Sequence, residues 1–323
     1  MDVTVGIVGL GSIGIRHARN FLSAGAQVMG WDPRPESRLA LAALGGEVVD
    51  ARSVVFDRAD AIVVASPSRF HHADLIEAIR RGLHVFVEKP LAHTETDLAA
   101  VFTVADQSGT IVFAALNMRY HPAVSAARAL FDRLGEPLWA RGICASYLPE
   151  WRPGSDYLSN YAADASTGGV IFDLTHEFDL LNHLLGPAEV VAAAAQNSGL
   201  LGIESEDCAD VILRHGRRIQ SSLHLDYITR PRLRVTEVGF TEGLLRIDIR
   251  NRRLDAWAAD GSVMAKQMFG GSVDDDYRGE AANFLACLRG EQRPACDGWE
   301  ALGVLRQVLA ARRMCGLKEE ACL

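Results

Sequence analysis

Three groups of residues combine types and spacings that could do chemistry. Gly9, Gly11 and Gly14 form a G-L-G-S-I-G turn directly behind the apolar run Thr4–Val8. Gly9 permits a tight turn, Gly11 lets the backbone approach a pyrophosphate, and Gly14 lets a helix pack against the strand. Ser12 and Ile13 then open a helix whose free N–H groups and positive dipole end suit a phosphate. Asp32 lies 21 positions beyond Gly11, at the end of the next strand-like run, where a carboxylate can accept hydrogen bonds from ribose hydroxyls. A negative charge there repels a 2′-phosphate, so NAD is expected over NADP. Arg34 and Arg38 would favour NADP only if Asp32 turned away. The second group, Val85-Phe86-Val87-Glu88-Lys89-Pro90, delivers Glu88 and Lys89 at the C-terminal end of a buried-type strand, the edge at which open parallel sheets bind ligands. Pro90 restricts Lys89 to extended geometry. The third group runs Gly168-Gly169-Val170-Ile171-Phe172-Asp173-Leu174-Thr175-His176-Glu177-Phe178-Asp179. On one helix Asp173 and His176 would be i,i+3 neighbours, so the carboxylate could fix the imidazole tautomer and tune its basicity. Leu180 stands where an HExxH zinc motif needs its second histidine, and no metal is expected. Taken singly, each group has a plainer reading: a structural glycine turn, a surface ion-pair lysine, a solvated helix face.

These side chains need elements to hold them. The first 120 residues alternate strand-like and helix-like segments: strands at 3–8, 27–31, 61–65, 83–87 and 111–116, helices at 13–24 and 72–81, and a further helix capped by Thr94 and running to about Gln107. Short apolar strands alternating with helices predict a parallel, doubly wound sheet covered on both faces. A turn- and aromatic-rich stretch follows, 147–161, then one helix predicted over 170–185. Consecutive strand-like runs at 189–195, 209–214, 220–228, 233–240, 243–249 and 254–258 predict a mostly antiparallel sheet. Helices return at 277–288 and 299–314. The expected division is a parallel α/β domain over 1–120 and an α+β domain over 121–323.

The three groups together resemble the Gfo/Idh/MocA family of NAD(P)-dependent oxidoreductases, along nearly the whole chain. The resemblance also takes in Ala65-Ser66-Pro67 with His71, Asn117-Met118-Arg119-Tyr120 as an N-x-R segment, and the C-terminal spacing of Tyr277, Glu280, Phe284, Asp297 and Ala301. Asp173 and His176 stand three apart, where many members place them four apart. Leu148-Pro149-Glu150-Trp151-Arg152-Pro153 looks like a loop found in one branch with that closer spacing. The resemblance implies a Rossmann fold for the first domain and a large, mostly antiparallel, open-faced sheet in the second, with substrate between them and cofactor contacts from Ser66, Pro67, His71, Glu88, Lys89, Asn117 and Arg119. It implies hydride transfer between a nicotinamide and a sugar or cyclitol CH–OH. Alcohol oxidation needs a base, for which His176 is the candidate, and a donor to the same oxygen, for which Lys89 is. Asp173 would orient the histidine or hold a neighbouring hydroxyl. Tyr120 and Arg119 would line the nicotinamide end. Trp151, Tyr157 and Tyr161 could offer flat faces to sugar C–H groups, with Arg152 adding a polar contact. The alternatives from other classes are an NAD-dependent glycosidase without net redox and a non-catalytic dinucleotide sensor. A sensor has no need of Lys89, Asp173 and His176.

Composition agrees with an enzyme. The 323 residues carry 33 Lys+Arg against 41 Asp+Glu, a formal charge of -8. An acidic chain is poorly suited to nucleic acid or to an anionic membrane surface. No apolar run reaches membrane-spanning length, and the N-terminus lacks a basic leader, so a cytoplasmic protein is expected. The six cysteines are scattered without a CxxC pair and are expected reduced. Arg230, Arg232 and Arg234 alternate on one strand face and read as a solvated or interface surface. The family resemblance implies a homodimer or homotetramer built through the open face of the second sheet.

Overall fold

A computed structural model describes residues 3–317 other than 152, 153 and 155. Six strands, β1 (Thr4–Val8), β2 (Gln27–Trp31), β3 (Glu47–Val48), β4 (Ala61–Val64), β5 (His84–Val87) and β6 (Val112–Ala114), form one sheet in the order β3-β2-β1-β4-β5-β6. Every pairing in it is parallel. Val5, Ile7, Ile62, Val63, Val85 and Phe86 are fully buried, as expected for strands covered on both faces. The order reverses between β1 and β4, the switch point at which ligands bind in open parallel sheets.

Eight further strands form a second sheet: β7 (Pro137–Ala145), β8 (Ala188–Gln196), β9 (Cys208–His215), β10 (Ile219–Asp226), β11 (Leu233–Phe240), β12 (Gly243–Asp248), β13 (Arg253–Ala258) and β14 (Val263–Met268). Their order is β14-β13-β12-β11-β7-β10-β9-β8. Only the β10–β7 pair is parallel. Along β9 and β10, Ala209, Val211, Leu213, Leu223 and Leu225 are buried while Asp210, Ile212, Arg214, Ser222 and His224 are more exposed, so one face carries the core.

The chain divides into two compact units. The first holds residues up to Asn117 together with Val273–Leu302; the second holds Met118–Ser272 and the chain from Gly303 on. Residues 273–302, expected with the second domain, thus join the first. The reason is aromatic packing: Phe284 on the helix Val273–Leu288 lies edge-on to Phe86 and Phe113, both at 5.4 Å, and to Phe21 at 6.0 Å.

Two helix expectations are corrected. The helix expected from Thr94 begins at Leu98; Thr94 Oγ1 instead accepts from the Thr96 backbone N–H within a turn. The helix expected over 170–185 is two, Val170–Asp173 and Thr175–Leu185, broken at Leu174. The Thr175 hydroxyl donates to the Phe172 carbonyl at 2.6 Å, a local bond that competes with the helical ladder.

Candidate active site

The first unit carries the dinucleotide motifs. The helix Ser12–Ser23 starts behind Gly11 with no side chain capping it, which leaves its first N–H groups directed outward. A Cβ at Gly14 would lie 2.0 Å from the Gly9 carbonyl oxygen, so any side chain there must displace the turn. The residues therefore fit a dinucleotide phosphate. Asp32 is buried and does not turn away. Its Oδ2 accepts from the Leu10 N–H at 2.8 Å and its Oδ1 from Arg34 N and Nε, both at 3.0 Å. Burial works to raise the Asp32 carboxyl, yet Arg34 and the backbone donors hold it below the ordinary value. Arg38 donates to the Asp32 carbonyl at 2.7 Å. Both arginines are thus engaged around Asp32, and Asp32 remains the anion at the strand end. We expect Gly14→Ala to weaken NADH binding at least about tenfold, or ~1.4 kcal/mol, in a fluorescence titration. An unchanged affinity would show that the turn does not set binding.

Glu88 and Lys89 follow β5. Glu88 is buried and its Oε1 lies 2.6 Å from His17 Nε2, while its Oε2 accepts from the Lys89 N–H at 3.1 Å. Burial pushes the Glu88 carboxyl up, but the His17 hydrogen bond and charge, with Lys89, hold it below the ordinary range. His71 is buried as well. Its Nδ1 meets the Pro90 carbonyl and its Nε2 the Ser66 carbonyl, each at 2.8 Å. The ring ties the turn after β4 to the turn after β5. Ser66 Oγ donates to Asp74 at 2.6 Å, so its side chain is held by the following helix. Asn117 is buried where the unit ends, in the short 3-10 turn Asn117–Tyr120.

The second unit carries the other motifs. Arg119 and Asp179 form a buried ion pair, 4% and 0% exposed, closing at 2.6 Å. That engages the Arg119 guanidinium with the helix Thr175–Leu185. Tyr120 is half-buried in the same turn. His183 on that helix is pushed down to about 4 by burial, with Arg119 and Arg128 adding to the effect. A histidine whose folded value lies below its unfolded value near 6.5 is held neutral by the fold, so its contribution is complete above pH ~6.5 and lost on acidification. We expect Tm to fall between pH 6.5 and 4, and His183→Gln to flatten that limb of a thermal-unfolding profile.

Asp173 is buried at the end of its short helix. Its Oδ1 accepts from Tyr161 Oη at 2.8 Å and its Oδ2 from Tyr227 Oη at 3.1 Å. Burial, then the Asp173 charge, pushes the Tyr227 phenol well above its usual value, so the phenol stays a donor. Trp151 stands edge-on to Tyr227 at 5.3 Å and its indole N–H reaches Ser146 Oγ at 2.9 Å. Tyr157 Oη donates to the Leu201 carbonyl at 3.1 Å. Trp151, Tyr157, Asn160, Tyr161 and Asp173 line one small cavity. Tyr161 and Asp173 stand there beside aromatic faces, while Tyr227, fully buried outside the cavity lining, fixes the carboxylate from the other side. His176 is half-buried at the start of the second helix. Arg152 lies outside the described residues. Arg234 of the arginine face is not solvated: its Nε donates to the buried Glu177 at 2.8 Å.

Residues 3–116 match the description "Oxidoreductase family, NAD-binding Rossmann fold", and residues 124–246 match the Gfo/Idh/MocA C-terminal domain. The chain is 30% identical over 286 residues to a 1,5-anhydro-D-fructose reductase of Ensifer adhaerens, covering 83% of this chain and 81% of that one. The chain belongs to the Gfo/Idh/MocA oxidoreductases. It is 26% identical over 220 residues to the scyllo-inositol 2-dehydrogenase (NAD(+)) of Bacillus subtilis strain 168, covering 65% of this chain and 61% of that one. A levoglucosan dehydrogenase solved with NADH and levoglucosan shares the fold at TM-score 0.86 and 18% identity, over 98% of both chains. For a Gfo/Idh/MocA oxidoreductase the glycine turn, Asp32 and the Glu88-Lys89 strand end stand on the NAD-binding domain. Sequence reasoning missed His17 and Tyr227. His17 falls one turn beyond Gly14 on the face turned to the sheet, a position whose partner cannot be read from spacing. Tyr227 lies 54 residues from Asp173, and only the sheet brings them together.

Proposed function

We propose that this oxidoreductase transfers a hydride between NAD and the CH–OH carbon of a sugar, cyclitol or related derivative, sugar nucleotides included. The observation that carries the reading is the Asp173 carboxylate gripped by Tyr161 and Tyr227 beside the Trp151 and Tyr157 rings. The named activities of the relatives, on anhydrofructose and inositol, support the same class. NAD, when bound, supplies the hydride acceptor or donor. Gly9, Gly11, Ser12, Ile13 and Gly14 bind its phosphates, and Asp32 its ribose, which selects NAD over NADP. Ser66, Pro67, His71, Asn117 and Arg119 act around the cofactor chiefly as a frame. Lys89 donates a hydrogen bond to the reacting oxygen. His176 takes the hydroxyl proton as hydride leaves and returns it in reduction. Asp173 accepts from a neighbouring substrate hydroxyl, and Tyr120 lines the nicotinamide end.

Among the described residues no helix is long and apolar enough to cross a membrane. We place the enzyme in the cytoplasm as a homodimer or homotetramer. The second sheet's open face, carrying Trp139 and the Arg141–Glu237 pair, is the surface that would join copies of this chain.

The test is a parallel calorimetric titration with NADH and NADPH. It is followed by an absorbance screen of NAD with polyols, sugar acids and sugar nucleotides. Tight NADH binding, weaker NADPH binding and reduction of NAD by a member of those classes are expected. Preferred NADPH binding would overturn the role given to Asp32. Binding of neither cofactor would overturn the catalytic reading.

A further inference from the structure

We propose that β9 and β10 carry a binding site for a zinc-like divalent ion, built from Cys208, Asp210 and His224, with Asp226 as the residue that orients the histidine. In the β9–β10 pairing Asp210 lies opposite His224 and Cys208 opposite Asp226. Residues two apart on a strand share a face, so all four side chains meet on the side away from buried Ala209, Val211, Leu223 and Leu225. A thiol sulfur, a carboxylate oxygen and an imidazole nitrogen from Cys208, Asp210 and His224 lie within 4.8 Å of one another. Tetrahedral zinc with bonds of ~2.0–2.3 Å separates its ligand atoms by about 3.5 Å. His224 Nδ1 and Asp210 Oδ1, now 2.9 Å apart, would open slightly toward that spacing, and the more distant pairs would close toward it.

The surroundings distinguish this cluster from an ordinary surface ion pair. His224 Nδ1 faces Asp210 Oδ1 at 2.9 Å, and its Nε2 faces Asp226 Oδ2 at 3.2 Å. Asp226 is itself buried and fixed. Its Oδ1 accepts from the Ile228 and Thr229 N–H groups at 2.8 and 2.7 Å, and its Oδ2 from Thr229 Oγ1 at 2.7 Å. A ligating histidine that gives its other ring N–H to an anchored carboxylate is the usual outer arrangement of a protein zinc site. With Nδ1 on the metal and Nε2–H on Asp226, tautomer and ring plane are both set. Two carboxylates, Asp210 and Asp226, face the cluster. A divalent cation would balance them, with the thiol proton released to solvent as the sulfur–metal bond forms. Three ligands leave a fourth position for water. A thiolate, imidazole and carboxylate set favours zinc or cobalt over calcium or magnesium, which take oxygen donors.

The test uses untagged, metal-stripped full-length protein. Zn²⁺ titration should saturate at one ion per chain. Co²⁺ should give the near-ultraviolet charge-transfer band of a thiolate ligand, and Cys208→Ser should lose that band. Asp226→Asn should weaken Zn²⁺ binding about 10–100-fold through the histidine. Asp210→Asn, at an exposed position, keeps the question open to test should Cys208→Ser fail to fold. Co²⁺ binding without the thiolate band would overturn the proposal, as would Zn²⁺ affinity unchanged in Asp210→Asn and Cys208→Ser. Hydride transfer does not enter this test, so its outcome is independent of the catalytic reading.

Discussion

Lys89→Ala is expected to lower turnover by roughly 10²–10⁴ while leaving NADH affinity nearly unchanged. Charge builds on the reacting oxygen as its proton leaves. A fixed cation at that oxygen acts mainly in the transition state and little on cofactor binding. The structure holds the backbone that would present this cation. On one side the Lys89 N–H is held by Glu88, whose other oxygen is 2.6 Å from the buried His17 ring. On the other side the Pro90 carbonyl is held by His71 at 2.8 Å. The backbone that presents Lys89 is therefore pinned from the first helix and from the helix after β4. A cation on a pinned backbone costs less to organise during reaction than one on a mobile loop. Stopped-flow turnover and NADH fluorescence should separate the two effects. Wild-type turnover in Lys89→Ala would remove the lysine from the mechanism. Equal losses in turnover and NADH affinity would make it a binding residue.

The parts of this fold that were legible in the sequence are those set by local pattern. Uninterrupted apolar runs marked β1, β4 and β5, and the glycine turn marked the start of the first helix. Consecutive strand-like runs without helices between them marked β8 to β13. What escaped was set by distant partners. β7 sits between β11 and β10 in the second sheet, yet Pro137 and Gly142 weaken its strand signature. Its burial comes from neighbours nearly a hundred residues away. The helix Val273–Leu288 reads as part of the second domain because it follows that domain in the chain. Phe284 instead answers Phe86 and Phe113, and no local feature announces that. The Asp173–His176 spacing was visible, but the break at Leu174 was not, because a threonine hydroxyl turned onto a carbonyl has no signature in an apolar period. The ligand set of β9 and β10 was hidden for a like reason. Cys208 and Asp210 stand close in sequence, whereas His224 reaches them only through strand register.

Glu206→Ala is expected to destabilise the second unit by about 3–5 kcal/mol, the scale for breaking a buried ion pair from one side. Arg312 is 0% exposed and Glu206 2%, with Nη1 and Oε1 3.2 Å apart. Burial pushes the Glu206 carboxyl above its ordinary value even against Arg312, a sign of how little water reaches the pair. The pair also ties the segment that carries Asp173. Arg312 donates to the Gly168 carbonyl at 3.2 Å and the Ala165 carbonyl at 3.1 Å, and its guanidinium lies 4.3 Å over the Phe172 ring. Glu206 accepts from the Ile171 N–H at 3.2 Å. Gly169, at φ +90°, leaves no room for a Cβ, which would fall 2.1 Å from Glu206 Oε2. Removing the carboxylate strands a buried cation beside the turn that positions Asp173. Tm should drop on the order of 10 °C. Glu47→Ala supplies the contrast: the Arg58–Glu47 pair is 50% and 49% exposed, and such pairs contribute at most about 1 kcal/mol. The double variant Glu206→Leu with Arg312→Met should recover much of the loss, since the cost lies in the abandoned charge. Matching unfolding temperatures for Glu206→Ala and Glu47→Ala would mean the buried pair does not anchor this segment. A double variant no better than Glu206→Ala would place the cost in lost hydrogen bonds rather than in the stranded charge.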